Sequence, residues 1–268
     1  MEKQISFIDY KSFDFYFLYF KNFIKREPTH NMWQEHSFYE IMFFEEGKGE
    51  YVIENRRYFT KKGDVLLIKP GCYHFKEKSD SDISAVYCLG FLSDAIGNAG
   101  LAKSIFDRCE YLSIGADSPL FNLMNVAKNK LSLSKNNASA FIKAIAEATV
   151  LMLCDLDVKS ECAPEIKNPS VQRMLDFINE NLCSIHKVDD IAAALFFSES
   201  YTRTLFKREM GIGIMEYVRN KKLLLAHRKM RHGKKPTEIY LECGFSSYPS
   251  FYRAYIAYFG KKPKSPLL

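Results

Sequence analysis

Up to about residue 92 the apolar positions come in short runs. The stretch YEIMFFEEGKGEYVIENRRYFTKKGDVLLIKP, residues 39 to 70, carries strand-forming residues broken by Gly47, Gly49, the Glu54-Asn55 turn and Gly63. That is the rhythm of an antiparallel sandwich or barrel. From residue 117 onward the spacing lengthens to three and four. Leu120, Leu123, Met124, Ala127 and Leu131 form one stripe, and Phe141, Ile142, Ile145, Ala148, Thr149, Met152 and Leu153 form a second. Two amphipathic helices are predicted, packed on the strands or on a second subunit. The stretch DLDVKSECAPEIKNPS then combines two prolines and mixed charge with little apolar content. It predicts a linker over 155–169, between a domain at 1–154 and another at 170–268.

Past the linker, SVQRMLDFINENL reads as an amphipathic helix with Ser170 as its cap. A weak internal repeat follows. VDDIAAALFFSESYTRTLFKREMG (188–211) and PTEIYLECGFSSYPSFYRAYIAYFG (236–260) each hold a short helix, a turn, a serine cap (Ser198, Ser247), a second helix, and a glycine thirteen residues after that serine. Each copy predicts a helix-turn-helix, over 188–209 and 236–259. Between them Ile214 to Arg231 predicts a long helix, with Tyr217, Val218, Leu224 or Leu225, and Ala226 inward and a basic outer surface. In the second copy Phe251, Ala254, Tyr255, Tyr258 and Phe259 make the buried stripe. Tyr248, Pro249, Ser250 and Arg253 are left on the other side, where the proline costs no helix hydrogen bond.

Composition changes this picture little, and charge changes it more. With 268 residues, 47% hydrophobic and 26% charged, the chain is an ordinary soluble protein long enough for two domains. The apolar run Phe13 to Phe20 is interrupted by Asp14 and closed by Lys21; it is far short of a membrane span and lacks a signal peptide's layout, so a cytoplasmic protein with no membrane partner is expected. Seven scattered cysteines without a C-x-x-C pair suit reduced thiols better than disulfides or zinc. The net charge of +6 is unevenly placed: residues 170–268 hold 17 Lys and Arg against 9 Asp and Glu, residues 1–169 hold 21 against 23. Basic charge gathered on one domain is the footprint of a phosphate-backbone binder.

A helix-turn-helix lays its second helix in the major groove while amides and basic side chains fix its register on the phosphates. In the first copy Ser200, Arg203 and Thr204 lie away from Leu205 and Phe206, flanked by Lys207 and Arg208. Arg203 suits bidentate reading of a guanine. In the second copy Tyr248, Ser250 and Arg253 take the comparable surface, and Pro249 suits contact with a thymine methyl. With the caps Ser198 and Ser247 these residues make up the expected DNA-contacting set.

The segments LFFSESYTRTLFKREMG, YVRNKKLLLAHRKM and CGFSSYPSFYRAYIAYFGKKP resemble the C-terminal hundred residues of the AraC/XylS family of bacterial transcription regulators. The resemblance implies asymmetric promoter sites, two reading helices in successive major-groove segments, and contact with RNA polymerase. Four departures stand out: Thr204 where an arginine is usual, with Arg203 one place earlier; Tyr240 in place of a small alanine; Ile256 in place of a lysine; and KKPKSPLL in place of the usual TP..YR ending. Lys261, Lys262 and Lys264 are left to compensate for lost phosphate contacts, since each phosphate neutralised releases about one counterion.

HSFYEIMFFEEGKGEYVI and KKGDVLLIKPGCYHF resemble the cupin-like sensor domain of the same family. Metal-binding cupins use His-x-His, a Glu and a later His. Here Gln34, His36, Phe38 and Glu40 are expected to alternate onto one strand face and His74 follows Pro70-Gly71 at cupin-like spacing; with Gln34 at the first His position, His36, Glu40 and His74 remain of that set. A two-His, one-carboxylate iron site is chemically possible. The resemblance instead assigns these residues to an organic-ligand pocket, with Trp33, Phe38 and Tyr51 as apolar lining, a sugar as the first candidate ligand, and neither metal nor cofactor.

The expected fold is α+β: an antiparallel, cupin-like β-barrel with packed helices, then an all-α domain of two helix-turn-helix units joined by a long helix. The expected function is a homodimeric, sequence-specific transcription regulator, an activator controlled by a small molecule, dimerising through 119–154. Two alternatives stay open: the same DNA function with a ligand-free dimerisation or protein-interaction barrel, and a metal-dependent cupin enzyme with a basic helical tail. Because the departures fall mainly in the second unit, the first unit is expected to dominate affinity. Arg203→Ala should weaken binding more than Arg253→Ala in a DNA titration, and equal losses would contradict this.

Overall fold

A computed structural model of the protein describes residues 6–22, 34–79, 84–156 and 164–264. The chain divides into two units, Met1–Glu165 and Ile166–Leu268. Residues 157–163 of the expected linker lie outside the described residues.

In the first unit, β1 (Ser6–Lys11), β2 (Phe15–Asn22), β3 (Tyr39–Glu46), β4 (Gly49–Ile53), β5 (Arg56–Thr60), β6 (Asp64–Ile68), β7 (His74–Ser79) and β8 (Ser84–Phe91) are followed by α1 (Ala99–Arg108), β9 (Tyr111–Ser113), α2 (Pro119–Leu133) and α3 (Ala138–Cys154), and the two-residue β10 (Glu165–Ile166) falls at the boundary. Among the described residues the strands form no closed barrel. They make a six-stranded sheet, β1-β2-β8-β3-β6-β9, and a four-stranded one, β10-β5-β4-β7. The helix α1 and the strand β9 go beyond the sequence pattern, which turned helical only at 117.

Strand parity builds the core. Successive side chains of a strand point to opposite faces, and on β3 the residues Tyr39, Ile41 and Phe43 face one way while Met42 and Phe44 face the other. The first face of the large sheet packs, with Phe17, Tyr87 and Phe91, against Phe106 of α1, Met124 of α2 and Ile142 of α3. The second packs, with Leu66, Val86 and Cys88, against Tyr51, Ile53 and Tyr58 of the small sheet. Being covered on both sides explains why all of β8 is buried and why its sequence is a nearly unbroken apolar run. The stripes of α2 and α3 are therefore spent on the unit's own core. The second stripe turns slightly from its expected phase, with Ala146 and Val150 buried and Phe141 and Met152 at its margin.

The second unit contains α4 (Pro169–Asn181), α5 (Val188–Leu195), α6 (Glu199–Met210), α7 (Ile214–Arg231), α8 (Pro236–Ile239) and α9 (Tyr248–Phe259). The cap of α4 is Asn168 rather than Ser170: its Oδ1 accepts from the amides of Ser170 and Val171 at 3.0 and 3.3 Å, with Pro169 in the first turn. The repeat is realised closely. Ser198 and Ser247 cap α6 and α9 through the Tyr201 and Ser250 amides. Both helices run twelve residues and end on left-handed glycines, Gly211 at φ 69° and Gly260 at φ 67°, the conformation glycine adopts without a Cβ clash.

On α7 the buried residues are Ile214, Tyr217, Val218, Lys222, Leu223, Ala226 and Met230. Leu223 thus replaces Leu224 or Leu225 as the inward leucine, and a lysine lies on the buried face. No helix among the described residues is long and apolar enough to cross a membrane, and the six cysteines described are free thiols.

Candidate functional site

The helix α7 touches both expected reading helices. The Tyr217 ring packs 5.3 Å from that of Phe206 on α6. Ten residues on, His227 stacks at 4.6 Å on Phe259 of α9, and its Nδ1 lies 2.6 Å from the Tyr255 hydroxyl. Between these points the buried Lys222 ammonium donates to the Ile185 carbonyl, in the segment leading into the first helix-turn-helix, and to the Gly244 carbonyl at 2.9 Å, in the turn of the second. Gly244 makes this possible, with φ 78° and so little room that a Cβ would sit 2.2 Å from the Cys183 carbonyl oxygen and 2.8 Å from the Lys222 nitrogen.

With their inner faces fixed, the outer faces of α6 and α9 are open. Ser200, Arg203, Thr204, Lys207 and Arg208 are exposed on α6, as are Pro249, Ser250 and Arg253 on α9. Arg203 holds Glu199 at 3.0 Å, an exposed pair worth about 0–1 kcal/mol. Arg208 holds Glu209 at 2.7 Å. Tyr248 differs from its neighbours: it is half-buried, 5.8 Å from the Tyr240 ring and 6.0 Å from that of Phe251, and anchors the start of α9. Ser198 and Ser247 are exposed or half-exposed caps whose side-chain oxygens accept backbone amides.

In the first unit the expected polar set comes together between the two sheets, by a route different from simple alternation. Only Glu40 stands on β3, with the parity of Met42 and Phe44, so it points toward the small sheet. His36 precedes the strand, where its Nδ1 donates to the Phe38 carbonyl at 3.1 Å; Gln34 makes an isolated bridge with His74. His74 opens β7, and its Nδ1 donates to the Cys72 carbonyl at 3.1 Å. Both rings turn Nε2 inward, at 3.0 Å (His36) and 3.2 Å (His74) from Glu40 Oε2. Phe38 and Tyr51 belong to the apolar cluster around them. Trp33 lies outside the described residues.

Tyr16 on β2 and Cys88 on β8 complete the site; sequence reasoning missed both. The Tyr16 hydroxyl lies 3.4 Å from His36 Nε2, and both it and the buried Cys88 thiol feel the charge of the Glu40 carboxylate. Tyr16 reaches Glu40 because Gly90 of β8 lies between them, paired with Tyr16 on one side and with Glu40 on the other. A Cβ there would fall 1.9 Å from the Tyr16 ring. The signal in the sequence was this glycine, which interrupts an apolar strand as glycines do at close approaches.

Burial would raise the Glu40 carboxyl, but hydrogen bonds and charge from the two histidines outweigh it and hold it well below the usual carboxylate range. Burial would lower the His36 imidazole, and the Glu40 bond reverses this and raises it. Tyr16 and Cys88 are pushed up, first by burial and then by Glu40, and stay neutral. Elsewhere on the unit two clefts of 210 and 240 Å³ are lined by other residues, Arg56, Lys69 and Glu110 in one and Glu45, Lys62 and Asn125 in the other.

The profile of the AraC-like ligand binding domain matches residues 19–149, and that of a helix-turn-helix domain matches residues 191–265. The chain belongs to the AraC family of transcription regulators. The Msm operon regulatory protein of Streptococcus mutans is 25% identical over 230 residues, covering 84% of this chain and 82% of that protein. The lactose operon transcription activator of Staphylococcus xylosus is 25% identical over 179 residues, 65% of this chain and 63% of that one. ToxT from Vibrio cholerae O395 aligns with a TM-score of 0.39 at 13% identity, covering 97% of this chain and 95% of that one.

Against the AraC-family pattern, Tyr240 is half-buried where a small residue is usual, and its ring is taken up by Tyr248. Lys261, Lys262 and Lys264 are exposed just past Gly260. In the ligand-binding domain the Gly90 gap is occupied by the Tyr16 ring. Gly90→Ala should displace the Tyr16 ring and destabilise the unit by about 1–3 kcal/mol, the usual cost of overpacking. Urea denaturation checks this, and a change under about 0.5 kcal/mol would show that the ring does not need the gap.

Proposed function

We propose that this AraC-family regulator activates transcription from asymmetric promoter sites, reading two successive major-groove segments with the outer faces of α6 and α9. The observation that carries this reading is the pair of equal-length, identically capped helices held from behind by one connecting helix, in a domain with 17 basic and 9 acidic residues. Arg203 and Arg253 act as base readers, with Ser200, Thr204, Pro249 and Ser250 beside them. Lys207, Arg208 and the lysines past Gly260 engage phosphates, while Ser198, Ser247 and Tyr248 set the pose of the helix starts. The protein works in the cytoplasm, contacts RNA polymerase at the promoter, and carries out no catalysis of its own, in keeping with relatives that are regulators.

A small-molecule effector bound by the first unit sets the DNA affinity, through unequal affinity for the competent and incompetent arrangements. A sugar is the first class to test. The regulator works as a homodimer whose contacts fall on the outer faces of α2 and α3, where Val126, Leu133 and Leu151 remain exposed after the stripes have been used in the core.

Mapping the genomic sites that the protein occupies in cells, then titrating the recovered fragments against unrelated DNA, tests the reading. Preference for the recovered sites by a factor on the order of 10³ or more is expected. Binding that is indifferent to sequence and abolished by moderate salt would overturn it.

A further inference from the structure

We propose that the cleft between the end of β3 and α2 binds a small neutral polyol of one ring, a monosaccharide by class. The Glu45 carboxylate, the Asn122 and Asn125 carboxamides and the Lys62 ammonium are its polar partners, and Phe121 is its apolar wall. The cleft measures 240 Å³ and is lined by these residues. That lies under the range of about 300–1,000 Å³ common for drug-sized ligands, so it suits a single ring and not an oligomer.

Glu45 is built into its position. On β3, Phe44 pairs with Val86 and Glu46 with Ala85, so Glu45 is the extra residue of a bulge, the irregularity by which a strand re-aims a side chain. Its Oε1 accepts from the Tyr87 hydroxyl at 2.7 Å and its Oε2 from the Tyr19 hydroxyl at 2.9 Å. Lys128 reinforces the pair, 3.4 Å from the Tyr87 hydroxyl and 4.5 Å from the centre of the Tyr19 ring. Burial first, and then Glu45, pushes both tyrosine hydroxyls up, so they remain donors and fix the carboxylate. Each carboxylate oxygen still has a lone pair to offer a ligand.

The other walls follow from two local features. Gly63, at φ 90°, lets the segment before α2 lie against the turn after β5: a Cβ there would fall 2.7 Å from the Ala116 nitrogen. Lys62 thereby shares the cleft with α2. On α2, Asn122 and Asn125 are three residues apart and share a face, beside Phe121, whose ring meets that of Phe43 edge to face at 5.8 Å. Lys62, Asn122 and Asn125 are exposed and make no hydrogen bond or ion pair among the described residues. Their polar atoms are thus available to a ligand, while the Glu45 acceptors are already aligned.

The lining selects the ligand class. One carboxylate and one ammonium cancel, which favours a neutral molecule. Carboxamides donate and accept, as hydroxyls do, whereas the carboxylate only accepts and the ammonium only donates; neighbouring hydroxyls on one ring match that mixture. Between the sheets, by contrast, His36 and His74 are spent on Glu40. Val126 is exposed on α2, four residues from Asn122, so on the effector and homodimer reading above a ligand in this cleft lies beside the subunit contact.

The test uses the full chain, titrated by calorimetry and thermal melting with glucose, galactose, mannose, arabinose and inositol, and with lactose as a two-ring comparison. At least one single-ring compound is expected to bind once per chain, with a rise in melting temperature that follows its binding curve. The double variant Asn122→Ala, Asn125→Ala replaces two poor helix formers by the best one. It should melt no lower than the wild type without sugar and bind that compound at least tenfold more weakly.

No saturable binding of any single-ring compound to the wild type would overturn the proposal, and this measurement needs no variant to fold. So would wild-type affinity in the double variant, which places the sugar elsewhere, or binding of lactose alone. A protein that prefers its genomic sites but takes none of these compounds overturns this inference alone. One that takes the sugar in this cleft without site preference on DNA overturns the proposed function alone.

Discussion

The DNA-binding unit depends on one buried ammonium group. A lysine withdrawn from water is costly unless its hydrogens find acceptors, and Lys222, 5% exposed, finds them in two backbone carbonyls, one in the segment leading into the first helix-turn-helix and one in the turn of the second. Burial pulls its pKa down from the ordinary lysine value, so the contact is demanding as well as directional. A charge-assisted hydrogen bond to a main-chain carbonyl ties the ammonium to backbone position rather than to the rotamer of a partner. Together with Tyr217 against Phe206 and His227 against Phe259, it makes α7 a common spine on which the two reading helices are mounted.

The ligand-binding unit follows a comparable logic with strands in place of helices. Parity on β3 sends Ile41 and Phe43 to the helices and Glu40 to the gap between the sheets, among Met42, Phe44 and Tyr51. A carboxylate in that position must be surrounded by donors, and the chain brings His36 to it from the bend before β3 and His74 from β7. Gly90 sits at the crossing point, where the absence of a side chain lets one aromatic ring reach the carboxylate.

Much of this was legible in the sequence wherever the signal was local. The serine caps and the glycines thirteen residues later predicted α6 and α9 with their ends, because capping involves only neighbouring residues. The gathering of His36, Glu40 and His74 was also foreseen, though His36 reaches the site from a bend and not from the strand. What escaped was non-local. Tyr16 and Cys88 read as ordinary apolar-strand residues until the pairing of β2, β8 and β3 is known. Lys222 read as part of a basic outer surface, since its partners lie 37 and 22 residues away. The run Leu223-Leu224-Leu225 offers three adjacent phases, and Leu223 is the one in register with the buried stripe of Ile214, Tyr217, Val218, Ala226 and Met230. The same local pattern that suggested a closed barrel is satisfied here by two sheets.

On the proposed reading an AraC-family chain built this way separates two tasks: the outer faces of α6 and α9 are the ones offered to DNA, while the buried Lys222 ties the backbone on either side of α7. The most direct measurement is a nuclease footprint of Lys222→Met on a promoter fragment bound by the wild type, at concentrations giving equal occupancy. A rigid two-unit reader requires protection to shrink from two adjacent groove segments to one, with the first unit's thermal transition unchanged. A full two-segment footprint at wild-type affinity would contradict it.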